Sequence, residues 1–145
     1  MGKIILILSF LIICSCGSLR SYETDYIDPR TLPYIETYLY YKQQYLKDSY
    51  FYYDINVSFG DLPGNQLGIC RWDSDPDEKR HIIIDYNKWQ YKTDIERTIL
   101  ILHEMGHCDL NIINHDSVGI MQPIILDANL FLKDESSYLK QLFYR

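Results

Sequence analysis

The chain has 145 residues, 47% hydrophobic and 23% charged, a composition that can bury a core and excludes disorder as the main state. That length is short for two ordinary domains. A formal net charge of −6 at pH 7 opposes a phosphate-binding surface, so no nucleic-acid partner is expected.

The first residues read as an address. In MGKIILILSFLIICS, Lys3 precedes an apolar run from Ile4 to Ile13 that is broken only by Ser9. A spanning helix needs about 20 apolar residues, so this run has the proportions of a secretory signal. Ile13-Cys14-Ser15-Cys16 resembles a bacterial lipobox. The resemblance implies cleavage before Cys16, diacylglycerol on its sulfur, and an exported, membrane-anchored lipoprotein facing the periplasm or the cell surface. The expected organisation is a signal peptide over 1–15, a lipidated tether over 16–29, and one folded domain over 30–145. A monomer is expected. Cys14 then leaves with the signal and Cys16 carries lipid, so of four cysteines Cys70 and Cys108 remain for other chemistry.

Thr31 to Asp48 carries helix-start signals in Thr31, Pro33 and Glu36. Tyr34, Tyr38, Tyr41 and Tyr45 recur at helical spacing, and part of the excess of 14 tyrosines is thus a stripe on one face. The stripe is expected to pack on a sheet; an exposed aromatic surface for a partner is the competing reading. Three short strands follow, over Ile55–Phe59, Leu67–Trp72 and His81–Tyr86. The third is almost continuously apolar, as in a strand covered on both faces. The acidic turn Asp73–Lys79 reads as a solvated hairpin tip. His81 reads as a surface or edge histidine, and Trp72 and Trp89 as core anchors. Thr93-Asp94-Ile95-Glu96 is a capping box that opens a helix from Asp94 to about Asp109. After a break over Asn111–Pro123, a C-terminal helix is expected over Asp134–Tyr144.

The capped helix carries His103-Glu104-Met105-Gly106-His107, an H-E-x-x-H motif. Spacing i, i+4 puts both imidazoles on one face, one turn apart, which suits two ligands of a tetrahedral zinc. Glu104 follows the first histidine, within reach of a zinc-bound water whose proton it can take as general base.

HEMGHCDLNIINHDSVGIM is similar to the zincin peptidases, and among them to the metzincins. It is closer still to small bacterial lipoprotein-type metallopeptidases with an H-E-x-G-H-C…H-D…S-x-x-M pattern. The resemblance implies zinc held by His103, His107 and His115, Glu104 as general base, and Met121 as the Met-turn residue under the histidines. Metzincins have Gly at the position of Leu110 and the third histidine at the position of Ile113, so this chain departs by an H-E-x-x-H-x7-H spacing. The helix must therefore end by a different turn, with Asn111 or Asn114 in the left-handed region. Asp116 and Asp109 stay open as third ligands, Asp109 less so because i+2 from His107 turns it about 200° round the helix. The exported location favours a Cys70–Cys108 disulfide over two buried thiols.

The expected fold is α+β, a minimal zincin-like domain with a small mixed sheet on a backing helix and an active-site helix. The expected function is a membrane-anchored zinc metallopeptidase cleaving peptide or protein substrates, with the sheet edge at His81–Tyr86 holding an extended substrate by strand addition. The alternative is a non-catalytic zinc-binding lipoprotein acting as a binding or scaffold module. A fourth protein ligand closing the metal would mark that alternative.

Overall fold

The structure is a computed structural model that describes residues 26–72 and 79–145. The signal segment, Cys16, most of the tether and Asp73–Glu78 of the acidic turn lie outside the described residues. Helix α1 spans Leu32–Leu46, followed by strands β1 (Ile55–Gly60), β2 (Gly68–Arg71) and β3 (Arg80–Asp85). Four helices complete the domain: α2 (Tyr86–Trp89), α3 (Asp94–Cys108), α4 (Ala128–Lys133) and α5 (Glu135–Phe143). The fold is a small α+β domain with a three-stranded mixed sheet. Among the described residues no helix is long and apolar enough to cross a membrane.

The sheet order is β1-β3-β2, with β3 parallel to β1 and antiparallel to β2. Strand β3, Arg80–Asp85, is therefore the central strand, and both of its edges are spent on neighbours. Strand addition at that segment is excluded, and His81 is an interior-strand histidine, half-buried, with Nε2 2.7 Å from the Ser58 hydroxyl. The outer edge of β1 is also taken, by the chain at 26–28: Val57 N–H donates to the Tyr26 carbonyl and Asp28 N–H to the Val57 carbonyl. The end of the expected tether is thus part of the folded domain. Among the described residues, β2 alone has an unpaired outer edge.

Burial alternates along the sheet. Ile55, Val57, Ile82 and Ile84 are buried, while Ser58, His81 and Ile83 are half-buried. The isoleucine run of β3 therefore has one covered face rather than two. That face rests on α3, whose Ile99, Leu102 and Met105 are wholly buried. Each such side chain contributes roughly 1.5–3 kcal/mol.

Helix α1 leans mainly on α3 and α5, so its tyrosine stripe meets helices and loops rather than lying flat on the sheet. Tyr34 sits edge-on to Trp89, Tyr38 packs on Phe143, and Tyr45 stacks on the same phenylalanine. Trp89 is a core anchor; Trp72 is half-buried, near the Arg80 guanidinium. The capping box of α3 is formed as its sequence implies, with Glu96 N–H donating to the Thr93 hydroxyl and Thr93 N–H to the Glu96 carboxylate.

Candidate metal centre

Helix α3 ends at Cys108, and Asn111 takes the left-handed conformation (φ 57°) that lets the chain double back. Ile112 N–H then bonds the Gly106 carbonyl at 3.0 Å, and the Ile112 carbonyl accepts from His107 Nδ1 at 2.5 Å. A single residue, Ile112, four past the end of the helix, thus closes the turn and orients a histidine. Arg80 secures the same turn, donating to the Cys108 carbonyl and the Asn111 side chain while lying over the Tyr53 ring.

The doubled-back chain delivers His115 to the motif. His107 Nε2 is 3.2 Å from His103 Nε2 and 3.1 Å from His115 Nε2. The three ligand nitrogens all lie within 4.8 Å of one another, a group that can hold a metal ion. His103 and His107 are buried and His115 is exposed, so the centre has one solvent-facing side. His103 Nδ1 meets the Ile120 carbonyl at 2.8 Å. With Nδ1–H donated to a carbonyl in both motif histidines, the Nε2 lone pairs face the common point. Burial pushes His103 down to about 4 and lowers His107 as well, so both stay neutral at ordinary pH. Neutral imidazole is the form that binds metal.

Two of the other ligand candidates point elsewhere. The Asp116 carboxylate is paired with Arg145. Asp109 is wholly buried and bound to Lys42 of α1 at 2.7 Å, with further bonds from the Tyr38 hydroxyl and the Tyr52 N–H.

Met121 lies beneath the motif. A Cβ on Gly106 would stand 2.4 Å from its Sδ, so the glycine between the two histidines is what lets the methionine approach. The Met121 carbonyl also accepts from Asp116 N–H at 2.8 Å, which ties this floor to the loop bearing His115.

Glu104 is 3% exposed, and burial pushes its carboxyl up to about 8. Its side chain lies against Gly68 of β2, and the Cys70 N–H offsets part of that rise. Cys70 is disulfide-bonded to Cys108.

No family model, curated protein or solved structure matches this chain.

Several supports of the site carry no local signal in the sequence. The Ile112 and Ile120 carbonyls, Arg80 and Gly68 are ordinary residues until the chain doubles back. Arg145 is a further case, since its charge reaches His107 from the far end of α5.

Proposed function

We propose that the chain is a zinc-dependent metallopeptidase, with His103, His107 and His115 holding the ion, Glu104 as general base, and peptides or proteins as substrate. The spacing of His107 Nε2 from the Nε2 atoms of His103 and His115 carries this reading. Ligands about 2.0–2.1 Å from one tetrahedral zinc stand about 3.3 Å apart, close to the 3.1 and 3.2 Å separations from His107. Three protein ligands are also the pattern of catalytic zinc, whereas structural zinc takes four. Among the described residues the cluster has three donors, and the pairing of Asp116 with Arg145 disfavours a closed, scaffold-type centre.

Zinc in that position supplies Lewis acidity toward a carbonyl oxygen and acidifies water. The chain's own groups do the rest. The Ile112 and Ile120 carbonyls keep the imidazoles in one tautomer and one orientation. Glu104, whose ionised form a bound dication would favour against the burial that raises it, would accept the proton of the attacking water and pass it to the leaving amine. An extended peptide pairs with the Gly68 and Cys70 carbonyls on the outer edge of β2, which no strand takes among the described residues, instead of with the central strand. Lipid on Cys16 would hold this centre close to a membrane.

The test is a metal determination on the purified chain, with peptide-library cleavage by wild type and Glu104→Ala. The expected result is one zinc per chain in both, and a turnover loss of about 10²–10⁴-fold in the variant. Well-folded protein that takes up no zinc would overturn the reading.

A further inference from the structure

We propose that strand β2 is the mount of Glu104: Gly68 makes room for its carboxyl group, the Cys70 N–H holds it, and the Cys70–Cys108 disulfide keeps strand and helix in register. This rests on the hydrolytic reading above and adds positioning residues to it.

Glu104 and Cys108 are four residues apart on α3 and so share one face, about 100° round from the face of His103 and His107. Gly68 and Cys70 are two apart on β2 and share the strand face that looks at the helix. The two pairs meet. A Cβ on residue 68 would stand 2.6 Å from Glu104 Oε1 and 2.9 Å from Cγ and Cδ, so the glutamate occupies the volume of the missing side chain. One turn further on, Cys70 is covalently joined to Cys108, with Cα atoms 5.6 Å apart.

The strand register supplies the third contact. Asp85 N–H donates to the Leu67 carbonyl, which sets Leu67, Ile69 and Arg71 to pair with β3 and turns the backbone of Gly68 and Cys70 outward. The outward Cys70 N–H is the one on the Glu104 side, where it offsets part of the rise that burial gives the carboxyl. A carboxyl group packed this tightly has little freedom to wander, and proton transfer depends on its placement to well under an ångström. The His103 and His107 rings are oriented by other groups, the Ile120 and Ile112 carbonyls. Loosening β2 should therefore slow turnover and leave the metal in place.

The test compares Gly68→Ala and the double variant Cys70→Ala, Cys108→Ala with wild type, as full chains. Three quantities are read: zinc affinity, kcat and KM on a cleaved library peptide, and the NMR shift of the Cys70 amide in metal-free protein. The mount predicts unchanged zinc affinity, unchanged KM, and a kcat about 100-fold lower in Gly68→Ala. It predicts a smaller fall in the same direction for the cysteine pair. The Cys70 amide should move upfield in Gly68→Ala and in Glu104→Ala alike. Wild-type kcat in both variants, or zinc lost in step with kcat, would overturn the mount. So would a Cys70 amide indifferent to Glu104→Ala. If wild type cleaves nothing, the hydrolytic reading fails by itself, and the amide shift alone decides the mount, supporting it if present and overturning it if absent.

Discussion

Two polar clusters sit at the C-terminal end of α3, within two residues of each other in sequence and built on opposite principles. Lys42, Asp109, Tyr38 and the Tyr50 and Tyr52 backbone form a closed set: the ammonium has the carboxylate and a carbonyl, and the carboxylate has three donors. His103, His107 and His115 form an open set, with three ring nitrogens turned on one another and their other sides committed to backbone carbonyls or solvent. A buried cluster that satisfies itself is structural. One whose lone pairs converge can hold a cation, and the contrast separates scaffold from candidate site more sharply than burial does, since both clusters are largely buried.

Substitutions should break the two clusters differently. Asp109→Ala takes the nearest carboxylate from an ammonium whose side chain is wholly buried, leaving it the Tyr50 carbonyl and Asp48 at 3.8 Å, and should cost about 3 kcal/mol in denaturant unfolding whether or not zinc is present. His115→Ala removes an exposed residue, so stability without metal should change little. Zinc affinity should fall by more than the roughly 10–100-fold that loss of an outer partner costs, as competition with a chelator would measure. Zinc bound equally well by this variant would move the third ligand elsewhere. Gly106→Ala drives a methyl into Met121 and should cost about 1–3 kcal/mol, with a weaker effect on zinc than His115→Ala.

The mildest test is pH. The Thr93 N–H and Lys92 hold the Glu96 carboxyl down at about 2, from an ordinary 4.5, and Lys88 and the Leu62 N–H hold Asp85 at about 2, from 3.8. Both are ionised more readily folded than unfolded, so their stabilisation is complete above the ordinary values and fades as pH falls toward 2. Thermal midpoints of the metal-free chain should drop across that window. Glu96→Gln should flatten part of the drop and leave zinc binding untouched.

The sequence was legible where the physics is local. A T-x-x-E box sets a helix start through bonds three residues apart, and i, i+4 spacing puts His103 and His107 on one face whatever surrounds them. The need for a left-handed residue after α3 followed from the shifted third histidine, and Asn111 is the one of the two named asparagines that takes it. The short helices α2 and α4 were not foreseen, because four and six residues carry too little periodicity to stand out.

Strand order was beyond local reading. Nothing in the isoleucine run of His81–Tyr86 says whether its edges are paired, and the structure makes it the central strand and, among the described residues, leaves β2 with the free edge. The tyrosine spacing marked a buried face but not its partner, which proved to be helical elements rather than the sheet. By itself, then, the sequence determined that an α+β domain carries a capped helix bearing two histidines and a glutamate in fixed relation. Only the tertiary structure decided that Glu104 packs against Gly68 and that Asp116 and Asp109 are spent on Arg145 and Lys42. Those outcomes depend on contacts between residues tens of positions apart, and no periodicity or propensity encodes them.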